Sequence, residues 1–109
     1  YSKRKVVVIC EGYMDMLKFK QFGLKNVVAI LGWKITAEQI AKLKKMGITH
    51  VISALDSDEC GRKGTAYLKG FFKVTEFQYP VGIKDAGEMT QQQFNVAFNK
   101  TKKKLKGGK

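Results

Sequence analysis

Short apolar runs alternate with longer amphipathic segments along this chain, and that alternation predicts a layered α/β fold. Residues 6–10, 27–31 and 51–55 are mainly apolar and rich in branched side chains, which is typical of strands buried on both faces of a sheet. Residues 73–79 alternate between polar and apolar side chains. This fourth run therefore predicts a half-exposed strand at an edge of the sheet.

The segments between and after these runs predict four helices. The first helix covers residues 12–22. Capping-box spacing marks the starts of the second and fourth helices, at Thr36 with Gln39 and at Thr90 with Gln93. The element order is β-α-β-α-β-α-β-α, which favours a three-layer α/β/α sandwich around a four-stranded parallel sheet. With strand order 2-1-3-4, the winding reverses between strands 1 and 3, where open parallel sheets bind ligands.

Length and composition indicate one domain, residues 1–99, in a chain of 109 residues with 44% hydrophobic content. Residues 100–109 hold six lysines and two glycines, which predicts a frayed helix end and a mobile tail. No apolar run approaches the roughly 20 residues that span a bilayer. Because residues 1–5 lead straight into a strand, we expect no signal peptide and no membrane partner, and a cytoplasmic location.

Carboxylates are concentrated at three places that each follow a predicted strand, although the chain as a whole carries a formal net charge of +12. The three clusters are Glu11 with Asp15, Asp56 with Asp58 and Glu59, and Asp85 with Glu88. Acids gathered at the carboxyl edge of a parallel sheet favour a bound divalent cation. The basic remainder suits a polyanion such as nucleic acid.

Three of these acids form the core of the predicted site. Asp56 and Asp58 are two residues apart, so in an extended segment they point the same way, and Glu11 approaches from the neighbouring strand. Carboxylates held together repel, and a bound Mg²⁺ removes that cost. The alternative for each acid is a helix cap or a solvated loop position.

Several residues near these acids are candidates for binding phosphate or a base. Gly12 permits close backbone approach, and Arg62 with Lys63 stands at a predicted helix start, where anions bind readily. Lys84 beside Asp85 is a similar candidate. Trp33 lies in a strand-to-helix loop on the ligand side, where it could stack on a base or cover the edge of the core.

These motifs together resemble the Toprim domain, which topoisomerases and bacterial primases share. The resemblance covers about residues 4 to 95 and is greatest to bacterial replicative primases of the DnaG type. The motifs are E-G-Y-M-D at 11–15, L-G at 31–32, D-S-D-E-C-G-R at 56–62 and K-D at 84–85.

The resemblance implies the 2-1-3-4 sheet and assigns roles to the acids. It implies that Glu11 acts as general acid or base, or as a metal ligand, and that Asp56 and Asp58 bind Mg²⁺, with Mn²⁺ as a substitute. Asp85 matches the first of two metal-binding aspartates in the last acidic loop of primases. Gly87 stands where the second aspartate is usual, and Glu88 is a candidate to replace it.

The chain also departs from the primase pattern in two other ways. Trp33 stands where primases usually carry a small hydroxyl residue. Primases of this type also contain a zinc-binding domain, a further polymerase subdomain and a helicase-binding domain, and 109 residues accommodate none of them. A protein partner that supplies the missing primase parts is therefore one expectation.

Four functional hypotheses remain open at this point. The first is a primase-like Toprim protein that binds Mg²⁺ and transfers phosphoryl groups on DNA or RNA in replication. The second is a Toprim nuclease that resembles the ribonuclease maturing 5S ribosomal RNA, and the third is a non-catalytic, metal-dependent nucleic-acid binding module. The fourth, a phosphoacceptor receiver domain, fits poorly because receivers usually have a fifth strand and a single acceptor aspartate.

Overall fold

The computed structural model describes residues 5–107 and contains a parallel sheet of four strands in the order β2-β1-β3-β4. The strands are β1 (Val6–Cys10), β2 (Val27–Ala29), β3 (His50–Ser53) and β4 (Lys73–Glu76). Both the α/β class and the strand order predicted from the sequence are confirmed. The sheet therefore reverses its winding between β1 and β3, as expected.

Four helices cover the sheet, namely α1 (Tyr13–Gln21), α2 (Ala37–Lys45), α3 (Glu59–Leu68) and α4 (Gln91–Gly107). A short 3₁₀ helix, Ala86–Glu88, precedes α4 and was not predicted. Both capping boxes are present, because the side chains of Thr36 and Gln39, and those of Thr90 and Gln93, each accept a hydrogen bond from the other residue's backbone N–H. Among residues 5–107, no helix combines the length and apolarity required to cross a bilayer.

The alternation of side chains along β1 divides the core into two layers. Val6, Val8 and Cys10 pack on one face of the sheet, and Val7 and Ile9 pack on the other. The first layer includes edge-to-face contacts of Phe19 with both Phe77 and Phe94. The second contains Ile35, Leu43 and Leu68. Burial on both faces explains why β1 has an uninterrupted apolar sequence.

The last helix differs from the sequence prediction, because α4 continues to Gly107 through the segment assigned to a tail. Ala97, Thr101 and Leu105 recur every four residues and are buried, as expected for one face of a helix. The Thr101 hydroxyl donates to the carbonyl of Ala97 at 2.8 Å and accepts the N–H of Gln78 at 2.9 Å. Residues 108 and 109 of the predicted tail lie outside the described residues.

Candidate metal centre

The pairing of β1 with β3 brings Glu11 and Asp56 to the same edge of the sheet. Ile9 stands opposite Ser53 in the parallel register, and the N–H of Ala54 donates to the carbonyl of Ile9 at 2.7 Å. Glu11 follows Ile9 by two residues and Asp56 follows Ser53 by three, so both lie just beyond the carboxyl ends of the two strands. This edge is where the fold class places its ligands.

A backbone hydrogen bond attaches the last acidic loop to the loop after β3. The N–H of Ser57 donates to the carbonyl of Lys84 at 2.7 Å, so Asp85 is carried toward Asp56. The N–H of Lys84 in turn donates to a carboxylate oxygen of Glu88 at 2.7 Å. Glu88 therefore uses one oxygen to hold its own loop, and Asp85 is the acid of this loop whose charge acts on Asp56.

Asp15 also belongs to this group of acids, although the sequence analysis did not assign it to the site. The backbone N–H groups of Gly12 and Gly87 interact favourably with its carboxylate and lower its pKa. Burial, and next the charge of Asp85, raise that pKa more strongly, so the net shift is upward. The available signal was its position in the first acidic cluster, one helical turn after Glu11.

The acids raise one another's pKa values because they are close together and partly removed from water. Burial, followed by the charges of Glu11, Asp15, Asp85 and Asp58, raises the pKa of Asp56 to about 7. Burial, then Asp58 and Asp15, also raise the pKa of Glu11, against a smaller opposing effect of Lys84. Such mutual repulsion is what a bound cation relieves.

Two buried carboxylate oxygens provide the test of whether a divalent cation fits here. Glu11 Oε1 and Asp56 Oδ1 are both buried and have no hydrogen-bond partner, which is costly for a charged group. Within residues 5–107, no three His, Cys, Asp or Glu side chains are already arranged around a common metal position. Mg²⁺ commonly takes only one or two carboxylates and completes its shell with water and substrate phosphates. The oxygen donors present fit that requirement.

The two oxygens of the Asp58 carboxylate have different neighbours. One oxygen, Oδ1, accepts the N–H of Gly61 at 2.8 Å and caps α3, and Oδ2 lies 3.9 Å from Nζ of Lys84. The metal-ligand and helix-cap interpretations of Asp58 are therefore compatible, because each uses a different oxygen.

The predicted phosphate-binding residues are distributed unevenly around the acids. Arg62 lines a polar cavity of about 240 Å³ together with Asp56 and Tyr79, and Lys84 lies beside Asp58. Lys63 is exposed on α3, and within residues 5–107 it forms no ion pair. The N–H of Gly12 is used by Asp15. Of the three basic candidates, Lys84 thus lies beside one of the acids and Arg62 shares a cavity lining with another.

Two further groups form the wall behind the acids. Burial, helped by the charges of Asp15 and Asp56, raises the pKa of the Cys10 thiol to about 12, so that thiol stays protonated at neutral pH. The Tyr79 hydroxyl donates to the carbonyl of Ala54 at 2.7 Å, and burial raises its pKa as well. Neither group is available as a nucleophile, and both hold the backbone behind the site.

Comparison with known proteins gives consistent results for sequence and fold. Residues 5–84 match the family model described as the Toprim domain. The chain is 36% identical over 98 residues to a DNA primase of Clostridium acetobutylicum. It superposes on a DNA primase domain from Pseudomonas aeruginosa with a TM-score of 0.70 at 26% identity, covering 89% of this chain and 32% of the other.

A second solved structure extends the fold comparison. The DnaG primase catalytic domain bound to ssDNA matches 92% of this chain and 33% of its own length, with a TM-score of 0.70 and 24% identity. The alignment with the Clostridium acetobutylicum primase covers 84% of this chain but only 16% of that protein. The similarity therefore concerns one module of these larger proteins.

Proposed function

This chain belongs to the Toprim family and is related to DNA primases, and from that premise we propose that it binds Mg²⁺ and transfers phosphoryl groups on nucleic acid. The proposed metal ligands are Glu11, Asp56, Asp58 and Asp85. Mn²⁺ is the expected substitute for Mg²⁺, since both prefer carboxylate and water oxygens.

One observation carries this proposal above the others. Glu11 Oε1 and Asp56 Oδ1 are buried, lack hydrogen-bond partners, and belong to carboxyl groups with raised pKa values. A solvated acidic loop or a helix cap does not require buried oxygens without partners. A bound cation would supply the missing partner for both oxygens, and this supports the proposal.

The chain's own residues have separable roles in the proposed chemistry. When bound, Mg²⁺ would stabilise charge on a phosphoryl oxygen and orient the attacking oxygen. Glu11 would bind the cation through its unpartnered oxygen, or would instead accept a proton from the attacking hydroxyl and return one to the leaving oxygen. Arg62 and Lys84 would hold the phosphates, because each stands beside an aspartate of the site.

The proposal concerns a catalytic module and leaves room for a protein partner. The chain spans 16% of the length of the Clostridium acetobutylicum primase. We therefore propose that template handling and helicase contact are supplied by other protein segments. The DnaG neighbour was solved with single-stranded DNA, which supports nucleic acid as the substrate class here.

A screen for metal-dependent turnover tests this proposal. Single- and double-stranded DNA and RNA are incubated with nucleotides and Mg²⁺ or Mn²⁺, and both extension and cleavage products are measured. Glu11→Gln should lower turnover about 10²- to 10⁴-fold, the range for loss of a general acid or base. The matched control is Glu38→Gln, an exposed acid in the first turn of α2 that takes no part in the carboxylate group.

The pattern of results separates the remaining alternatives. Cleavage without extension would favour the nuclease, and extension would favour a primase-like activity. Loss of turnover in Glu11→Gln with metal affinity unchanged assigns Glu11 to proton transfer, whereas loss of both assigns it to metal binding. Absence of turnover on every substrate would reject the catalytic part and leave a metal-dependent binding module.

A further inference from the structure

Exposed apolar side chains flank Glu11 on two sides. Tyr13 stands two residues after Glu11 at the start of α1 and is 58% exposed. Trp33 lies in the loop between β2 and α2 and is 38% exposed, and Leu31 in the same loop is 74% exposed. Aromatic side chains beside a charged centre, in a chain with net charge +12, require a physical explanation other than core packing.

The loop that carries Trp33 is hydrogen-bonded to the backbone of Glu11. The backbone N–H groups of Leu31 and Gly32 donate to the carbonyl of Glu11 at 2.7 and 3.3 Å. Leu31 has a φ of 61°, a left-handed conformation that is uncommon for any residue but glycine. Strained backbone of this kind persists where surrounding contacts enforce it, and it is concentrated at functional sites.

The other side of the loop is fastened to α3. A Cβ atom at Gly64 would lie 2.0 Å from the carbonyl oxygen of Trp33, so the loop backbone rests directly on the helix at this glycine. Nζ of Lys34 lies 4.8 Å from the ring centre of Tyr67 on the same helix, within range of a cation–π interaction. Trp33 is therefore presented from a fixed backbone beside the carboxylates.

We propose that Trp33, together with Tyr13, forms a stacking surface for unpaired bases of single-stranded nucleic acid. This inference rests on the proposed function and specifies its substrate as a strand with accessible base faces. Proteins that bind single strands combine a cationic surface, which tracks the phosphates, with aromatic rings on which bases stack. Lys34 follows Trp33 directly in the chain, Lys84 lies 3.9 Å from Asp58, and Arg62 shares a cavity lining with Asp56, so cations are available around the carboxylates that Tyr13 and Trp33 flank. A duplex, whose base faces are already stacked, would not use this surface.

The chain allows this proposal to be tested without a mutation, because Trp33 is its only tryptophan. Tryptophan fluorescence is measured as an oligothymidine of about 12 nucleotides is added, a length within the range of single-strand binding sites. The controls are an abasic oligonucleotide with the same number of phosphates and a duplex of equal length. Strong quenching by oligothymidine, with little from either control, is the expected result.

Variants then measure what the ring contributes to affinity, using the anisotropy of a labelled oligothymidine. Trp33→Ala should weaken binding about 5- to 100-fold, the range for loss of one stacked base, and Trp33→Phe should retain most of the affinity. Phe71→Ala is the matched control, because Phe71 has a similar exposed fraction, 37%, but lies elsewhere on the sheet. Phe71 precedes the outer strand β4 at its amino end, whereas Trp33 follows the other outer strand, β2, at its carboxyl end. That variant should bind as the unmodified chain does.

Several outcomes would overturn the stacking surface. Equal quenching by the abasic strand would show that the phosphates alone account for binding. Unchanged affinity in a folded Trp33→Ala variant would show that the ring does not stack on bases, and would favour contact of these apolar residues with a protein partner. If Trp33→Ala does not fold, the fluorescence comparison on the unmodified chain decides. Metal-dependent turnover that persists while stacking fails would reject this inference and retain the proposed function.

Discussion

Asp58 Oδ1 accepts the backbone N–H of Gly61 at 2.8 Å, so one carboxylate of the candidate centre also caps the helix that follows it. This double use affects how the site is tested. An alanine at position 58 would remove a cap as well as a charge, at a cost of about 1 kcal/mol of stability. Asparagine caps helices about as well as aspartate, and therefore removes the charge alone.

We expect Asp56→Asn and Asp58→Asn each to weaken Mg²⁺ binding by about tenfold or more, the loss typical of even supporting residues in metal sites. The reason is that each variant removes a negative charge from the edge where Glu11 Oε1 is buried without a partner. Isothermal titration calorimetry with Mg²⁺ and Mn²⁺ gives the measurement, and Glu38→Gln is the control. Unchanged Mg²⁺ affinity in both variants would show that the metal does not bind at residues 56–58.

The metal-free protein should become less stable as the pH rises from about 4 to about 7. The unfolded chain releases the Asp56 proton near the ordinary pKa of 3.8, whereas burial and neighbouring acids make the folded protein retain it up to about 7. Between these values the folded state binds more protons, so the free energy of unfolding falls with pH. Urea denaturation across this range measures the slope.

Two comparisons isolate the source of that slope. Asp56→Asn should flatten it, because the carboxyl group whose pKa is raised to about 7 no longer titrates. Saturating Mg²⁺ should restore stability on the alkaline side by binding the folded state. A metal-free protein that gains stability between pH 4 and 7 would contradict the shared repulsion among these acids.

Gly87→Asp should strengthen Mg²⁺ binding and destabilise the metal-free protein. A Cβ atom at Gly87 would lie 3.3 Å from Oδ1 of Asp85, so the added carboxylate would join the existing group and increase its repulsion. Gly87→Asn is the matched control, with a similar shape and no charge. Calorimetry and thermal denaturation of the two variants separate charge from size, and equal metal affinities would indicate that position 87 lies too far from the cation.

Nucleic-acid binding should weaken steeply with salt, because a chain of net charge +12 binds phosphates with release of counterions. Arg62→Ala should reduce the slope of log affinity against log salt by about one, as expected for one lost phosphate contact. Lys45→Ala is the control, since Lys45 ends α2 near the amino ends of the strands, away from the acids at their carboxyl ends. Fluorescence anisotropy at several salt concentrations checks both, and equal slopes would remove Arg62 from the phosphate path.

Leu105→Ala should lower the free energy of unfolding by about 2 to 5 kcal/mol, the cost of truncating a buried leucine. Leu105 is buried in the core although it lies among the lysines near the end of the chain. Lys104→Ala, an exposed neighbour, should change stability by less than about 0.5 kcal/mol. Chemical denaturation of both variants gives the comparison, and equal effects would mean that this part of α4 does not pack.

The error in the position of the α4 end has an identifiable cause. Lysines dominate the composition after residue 99, and that composition concealed the spacing of four between Ala97, Thr101 and Leu105. A periodicity test continued past the first lysines would have detected the buried face. Composition describes the solvated side of a helix, whereas the spacing of its few apolar residues describes the packed side.

Local patterns in the sequence were enough to predict the four strands, the four helices and the end of the sheet at which the acids gather. Strand and helix periods are local properties, and parallel strands necessarily bring their carboxyl ends together. Glu11 and Asp56 could therefore be predicted as neighbours. The 2-1-3-4 order, which the resemblance to the Toprim domain implied, was confirmed by the structure.

How each acid is used depends on contacts between segments that are distant in the chain. Asp15 joins the group through the N–H groups of Gly12 and Gly87, and position 87 is far from it in the chain. Glu88 accepts the N–H of Lys84, and Asp58 places one oxygen on the N–H of Gly61 and the other 3.9 Å from Nζ of Lys84. These partners and the raised pKa of Asp56 depend on burial and on long-range packing. The effect of one charge on another depends on the distance between them and on their exposure to solvent. No local pattern in the sequence contains either quantity.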